Sequence, residues 1–289
     1  MKTHSLAPHL FALTAAVGFL ALTTSVSAQL LGTAATYGVL GGSTVTNTGP
    51  TVILGGLGVS PGSAATGFAV IDGGPGQFTG AVNLGNAAAA QAHADLNSAY
   101  LSLAGLGFTT NLTGTDLGGL TLTPGVYRFS SSAQLTGALT LNALGDNNAR
   151  FVFQIGSTLT TATNSVVNFI NLSPLAECGA DNGLYWQVGS SATIGVNSAF
   201  AGNILAFTSI TLNTGTSIAS GRALALNGAV TLDTNLIDAS NPDGGFCVPR
   251  APVMTPVPEA STYGLAGCGL LLLAVLRNRI NLHKNRIRS

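Results

Sequence analysis

From Thr33 to Asp238 the chain repeats one pattern: a short stretch of alternating apolar and polar residues, a turn rich in Gly, Asn, Ser or Asp, then another short stretch. Alternation with period two marks a strand with one buried face. One segment breaks the pattern. Alanines dominate from Asn86 to Leu96, and Leu96, Tyr100 and Leu103 recur at helical spacing, which predicts one amphipathic helix at about 84–106.

The strand-rich stretches are copies of one unit. Phe153-Gln154-Ile155-Gly156-Ser157-Thr158-Leu159-Thr160 lines up with Trp186-Gln187-Val188-Gly189-Ser190-Ser191-Ala192-Thr193. Leu205–Leu212 lines up with Leu224–Leu232 after a one-residue slip, and Thr193, Thr211 and Thr231 follow one another at 18 and then 20 residues. That period is about one solenoid coil. Ser43–Thr51 resembles Thr208–Thr216, so the unit occurs on both sides of the helix. The expected fold is therefore all-β dominated: a β-solenoid, discontinuous in sequence, with its N-terminal coils stacked beside the C-terminal ones and one long α-helix packed alongside.

Period two turns Leu159, Ala192, Ile194, Ile210, Leu212, Val230 and Leu232 inward, and Thr160, Thr193, Thr211 and Thr231 outward. Alignment adds Thr46 and Thr136 to that column, and the following strand offers Asn164, Asn197, Thr214, Thr216 and Thr234 as a second, less regular one. Coils stack about 4.7–4.9 Å apart. A ladder of stiff β-branched side chains results, each showing a methyl and a hydroxyl, which can hold ordered water.

Composition narrows the classes. Only 7% of the 289 residues are charged and 46% are hydrophobic, but Val, Ile and Leu are used steadily, so the chain folds. The 38 glycines carry no collagen period and punctuate short strands. The net charge of +0 conceals basic residues gathered at both termini and a body without lysine, which argues against nucleic acid as a partner.

Both ends read as addresses. Met1-Lys2-Thr3-His4, the apolar run Leu10–Leu22 and Val26-Ser27-Ala28 form a secretory signal peptide over 1–28. Val257-Pro258-Glu259-Ala260, an apolar segment at 263–276 and Arg277-Asn278-Arg279 resemble the PEP-CTERM sorting tail of Gram-negative, exopolysaccharide-producing bacteria, with Ala260 departing from the usual proline. The sorting motif is Val257, Pro258 and Glu259. That resemblance implies an exosortase-type processing enzyme, transient inner-membrane anchoring, secretion or attachment at the cell surface, and exopolysaccharide as a further partner. The boundaries expected are signal peptide 1–28, solenoid domain 29–248, linker 249–256 and tail 257–289. Cys268 falls in the tail. Cys178 and Cys247 remain as a candidate disulfide in an oxidising compartment, the alternative being two free buried thiols.

Catalytic chemistry is thinly supplied. His93 is the one histidine between the two addresses, and the carboxylates Asp72, Asp95, Asp116, Asp146, Glu177, Asp181, Asp233, Asp238 and Asp243 mostly sit in turns beside Gly or Asn. No metal-ligand spacing or phosphate loop is present, so neither an enzyme nor a cofactor is expected.

Several segments together resemble the microbial ice-binding proteins of bacteria, fungi and diatoms: Leu31–Leu40, Asn47–Ile53, Gly56–Gly62, Leu122–Tyr127, Phe151–Gly156, Trp186–Gly189, Phe200–Leu205 and Gly221–Ala225. The resemblance implies a right-handed, three-faced solenoid that binds ice through one flat face as a monomer without a cofactor. It implies a Thr-Ala/Gly-x-Thr/Asn motif there, matched by Thr48-Gly49-Pro50-Thr51 and Thr161-Ala162-Thr163-Asn164 and only partly by the stretches at Asn197 and Thr214. The candidate ice-binding residues are therefore Thr46, Thr48, Thr51, Thr136, Thr160, Thr161, Asn164, Thr193, Asn197, Thr211, Thr214, Thr216, Thr231 and Thr234. The rival is a structural or adhesive matrix protein whose threonine ladder is only a soluble wall.

Overall fold

The computed structural model describes residues 30–173 and 183–241. The signal peptide, Cys178, Cys247, the linker and the tail with Val257, Pro258 and Glu259 lie outside the described residues.

Three parallel sheets of nine, seven and eight strands, here A, B and C, form the three faces of a solenoid. Each coil adds a strand to A, B and C in turn. Arg150–Ile155, Leu159–Thr161 and Val166–Ile170 make one coil; Gly183–Val188, Ala192–Ile194 and Ala199–Ala201 stack on it in parallel. The discontinuity lies where Tyr37–Gly41, Thr44–Thr48 and Val52–Leu54 stack on the last C-terminal coil, made of Ala223–Ala225, Val230–Asp233 and Leu236–Asp238. The first strands of the chain thus prolong all three faces beyond the last.

The chain reaches this arrangement by returning along sheet A as a helix, Ala87–Ala104. Its 18 residues span about 27 Å, close to the roughly 29 Å of six strand spacings. It is shorter at both ends than 84–106. Val82–Leu84 is drawn into sheet A against Gly56–Val59, Gly85 turns left-handed (φ 62°), and Asn86 caps the first turn by accepting the Ala89 N–H at 3.0 Å. Ala92, Leu96, Ala99, Tyr100 and Leu103 then bury against Leu40, Val152, Tyr185, Leu205 and Leu224, closing face A to solvent there. Two short elements had no clear sequence signal, the 3-10 turn Gly32–Thr36 and the helical turn Ala69–Asp72.

Inside the solenoid like stacks on like. Ala133, Leu159, Ala192, Ile210, Val230, Val45 and Ala65 form one inward column of sheet B, all buried. Behind sheet A an aromatic stack runs Tyr127, Phe153, Trp186, Phe200, with centroid separations of 5.3, 4.1 and 4.9 Å, and the Trp186 Nε1–H donates to the Ala201 carbonyl at 3.0 Å.

Polar ties fix the helix to this wall. The Asp95 carboxylate accepts the Thr33 N–H (2.8 Å), the Thr33 hydroxyl (2.6 Å) and the Gln91 amide (2.9 Å). His93 Nε2 lies 2.6 Å from the Leu226 carbonyl, so that nitrogen carries the proton. The Thr33 hydroxyl, foremost among these bonds, holds the Asp95 pKa below its ordinary value. A depressed folded pKa contributes stability that is present above the unfolded value of about 3.9 and is lost as pH falls through the folded one. Asp95→Asn is therefore expected to lower the thermal midpoint at pH 7 and to flatten its decline below about pH 4; an unaltered pH profile would show that the contact contributes nothing.

Candidate functional site

Sheet B is the face where outward side chains form a continuous rank of one type. In register across successive coils stand Gln134, Thr160, Thr193, Thr211, Thr231, Thr46 and Thr66. All are partly or fully solvent-exposed. The rank crosses the discontinuity without a break, and there the Thr46 hydroxyl meets the Thr231 hydroxyl at 3.5 Å. Several of its strands are only three residues long, so each coil presents one or two outward side chains to this face. Sheet C has no such rank: one outward line runs Ala138, Val166, Ala199, Ser217, Leu236 and Val52, mostly apolar and uneven, and a shorter one Thr121, Thr140 and Asn168.

Two positions before each threonine a second rank runs beside the first: Ser132, Thr158, Ser191, Ser209, Ala229, Thr44 and Ala64. The Thr158 hydroxyl donates to Ser132 Oγ at 2.8 Å, and Ser191 Oγ accepts the Ser209 N–H at 3.3 Å. Beyond the first rank, on the other side, Asp233 places a carboxylate at the rim. It takes the hydroxyl of Thr214 and, at 3.0 Å, that of Thr234, and these bonds, Thr214 first, hold its pKa below the ordinary carboxylate value.

Of the residues expected from the sequence, Thr46, Thr160, Thr193, Thr211 and Thr231 come together in the first rank. Thr136 does not. Sheets A and B keep one offset between these coils, so Gln134 stands in register with Thr160, and Thr136 lies past the strand end at Leu135, in the corner, its N–H on Asp116 Oδ1 at 2.9 Å. Thr51, Thr161 and Thr216 are buried. They belong to a polar ladder inside the B–C corners: Thr216 Oγ1 donates to the Gly195 carbonyl at 2.8 Å, Thr161 Oγ1 accepts the Gly195 N–H at 2.8 Å, and Thr51 Oγ1 accepts the Asn235 N–H at 3.0 Å. The Thr-Gly-Pro-Thr and Thr-Ala-Thr-Asn stretches thus each begin on the last residue of a sheet B strand, Thr48 and Thr161, and turn the B–C corner with the rest. Thr48 is exposed at its strand end, in register with Asp233, and Asn164, Asn197, Thr214 and Thr234 are exposed on the corner ridge.

These corners need a left-handed residue, supplied by Asn164 (φ 58°), Asn197 (φ 53°), Gly215 (φ 74°), Gly49 (φ 74°) and, against its preference, Thr234 (φ 52°). A β-branched residue is strained there. Thr234→Asn is expected to stabilise the fold by about 1 kcal/mol, read as a rise of the thermal midpoint by a few degrees; a fall would show that the Asp233 bond outweighs the strain.

Thr66 and most of the second rank were missed. Their signal is the spacing i, i−2 in Thr158/Thr160, Ser191/Thr193, Ser209/Thr211 and Thr44/Thr46, legible once the threonines are known to face outward. Among the described residues no group of three or more His, Cys, Asp or Glu side chains is placed to hold a metal ion.

Fold and face together define a β-solenoid with one face sealed by a helix and another carrying an open, nearly uncharged hydroxyl lattice. The family model described as Ice-binding-like matches residues 39–238, and the chain belongs to that family. An ice-binding protein of Nostoc sp. (strain HG1) is 53% identical over 256 residues, covering 88% of this chain and 89% of its own. Ice-binding protein K3-B1 of Typhula ishikariensis is 34% identical over 203 residues, 64% of this chain and 79% of its own. Among solved structures, an ice-binding protein from the Antarctic ascomycete Antarctomyces psychrotrophicus superposes with a TM-score of 0.66 at 38% identity, covering 73% of this chain and 98% of that one. Another, from an Antarctic biological consortium, has a TM-score of 0.65 at 39% identity over 80% and 95% of the two chains.

Proposed function

We propose that the protein adsorbs to ice through sheet B and thereby restrains ice growth and recrystallisation. The observation that carries this reading is the in-register rank of six threonines, unbroken across the point where the N-terminal coils stack on the C-terminal ones. Stiff χ1 angles and a coil spacing fixed by backbone hydrogen bonds place the hydroxyls before any ice arrives, so little ordering remains to be done on binding. The methyl beside each hydroxyl limits competing water arrangements, whereas charges, which hold hydration shells unlike ice, stand only at its margins, Asp233 at the rim and Asp116 beside Gln134 at the end of the rank. No bond to substrate is made or broken, and no cofactor is called for.

The matrix reading predicts no preference for one face. The contrast between the regular rank of sheet B and the mixed rank of sheet C speaks against it. Export through the segment 1–28, a disulfide between Cys178 and Cys247, and processing of the tail at Val257-Pro258-Glu259 by an exosortase-type enzyme, leaving the protein secreted or at the cell surface, complete the proposal on sequence grounds. Thermal hysteresis and recrystallisation inhibition of the purified protein test the main reading. A hysteresis gap with faceted crystals is expected, and ordinary ice growth from a folded sample would overturn it.

A further inference from the structure

Sheet A carries an outward column that changes character along the solenoid. Beneath the helix it is Leu40, Leu224 and Leu205; where the helix ends it becomes Gln187, Gln154 and Arg128. Around this second half lies a cavity of about 280 Å³, walled also by Tyr100 and Ser130.

Part of that polarity has a structural reason. Gln154 Nε2 donates to the Leu103 and Leu106 carbonyls, each at 2.8 Å, and so closes the end of the helix. The rest does not. Gln154 and Gln187 are both 7% exposed, and what remains accessible of them opens on the cavity. The Gln154 side chain lines the cavity with its amide N–H groups already turned to the helix carbonyls, which leaves its oxygen as the group it can offer. Gln187 stands beside the Tyr100 hydroxyl. The Arg128 guanidinium forms no ion pair among the described residues; it lies 5.3 Å from the centroid of the half-exposed Phe108 ring.

We propose that this cavity binds a saccharide unit, a neutral polyhydroxylated ring held through its hydroxyls. The Arg128 guanidinium, the Gln187 carboxamide and the Ser130 hydroxyl, which accepts from Thr113 Oγ1 at 3.2 Å, supply donors, and the Gln154 carboxamide oxygen and the Tyr100 hydroxyl, whose own proton goes to the Val188 carbonyl at 3.4 Å, supply acceptors around one small concave space; sugar hydroxyls are both. The volume admits about one such ring. A simple anion fits less well despite Arg128, because the carbonyl end of the long helix points its partial negative charge into the same region. The site is remote in kind from the threonine face, needing directional partners on all sides where the face needs a flat lattice, so it stands or falls independently of ice adsorption.

The test is saturation-transfer-difference NMR of the purified protein with glucose, galactose, mannose and N-acetylglucosamine, with glucuronate and inorganic phosphate alongside. Saturation of ring protons is expected for at least one neutral sugar. Arg128→Ala, at an exposed position, should weaken it by about tenfold, the loss expected for hydrogen bonds to a charged donor, and Gln187→Ala by a similar factor. Thr211→Tyr should leave it unchanged, and Arg128→Ala should keep the thermal midpoint of the unaltered protein, which shows that it is folded. Tighter binding of the matching oligosaccharide would mark a glycan as the natural source, and equal binding a free sugar; both support the proposal. It is overturned if no sugar transfers saturation, if only glucuronate or phosphate binds, or if binding survives both cavity substitutions.

Discussion

Thr211→Tyr is expected to abolish thermal hysteresis while leaving the thermal midpoint within a degree or two. Thr211 stands near the middle of the first rank, between Thr193 and Thr231, and its side chain points away from a core that ends at Ile210 and Leu212. A phenol there touches nothing buried and costs the fold little. It does stand proud of its neighbours, and a flat lattice tolerates no projection, because every hydroxyl on either side is lifted away from the plane it must match. The control is Thr140→Tyr, an outward position of sheet C in register with Thr121 and Asn168. It adds the same ring to the other open face and should retain full activity. Thr158→Tyr separates one rank from two: loss of activity places the second rank in the contact surface, and retention confines contact to the first. If Thr211→Tyr kept its hysteresis, sheet B would not be the ice face, whatever the family.

How much of this was legible in the sequence follows from what each feature depends on. Inward and outward faces of Leu159–Thr161, Ile210–Leu212 and Val230–Asp233 depend only on period two, which is local, so five of the six threonines of the rank were placed from the sequence. Stacking of the N-terminal coils on the C-terminal ones was legible because Ser43–Thr51 and Thr208–Thr216 are alike, and like coils stack. Corner residues were not legible. Whether Thr51 or Thr216 faces out is settled by how many residues each corner contains, and a corner with one residue more or fewer reverses the side chain; Thr161, next to outward Thr160 on its strand, is turned inward by period two, against the motif resemblance that had placed it on the face. Thr136 was misplaced because the sheet B strand of its coil ends at Leu135, which puts Gln134 in the rank and Thr136 in the corner. The cavity beyond the helix depends on where the helix stops relative to Gln154 and Gln187, a matter of length in three dimensions that no repeat records.

The second large effect falls on the seam between the N-terminal and C-terminal coils, where Arg222 is fully buried. Its Nε–H donates to the Ala35 carbonyl at 2.8 Å, Nη1 to Asn203 Oδ1 at 3.0 Å, and Nη2 to the carbonyls of Ala239 at 3.3 Å and Asn241 at 2.8 Å. Those acceptors belong to the 3-10 turn before the first strand, to the neighbouring coil and to the segment after the last strand of sheet C. One planar fork thus ties together the pieces that have no covalent neighbour at the discontinuity. Arg222→Met fills much of the same volume with no donor, leaving several buried oxygens unsatisfied. A loss of about 4 kcal/mol is expected, a fall in thermal midpoint of roughly 10 °C for a domain of this size. Arg222→Lys, whose point charge cannot reach all four acceptors, should fall between. Hydrogen exchange should quicken first in Tyr37–Gly41 and Thr44–Thr48, because the seam opens before the coils behind it. Thr46 and Thr231 would then lose their register, so ice activity should decline with warming before the core unfolds. An unchanged midpoint in Arg222→Met would mean that apolar stacking across the seam, Val45 on Val230 and Ile53 on Ile237, holds the two sets of coils by itself.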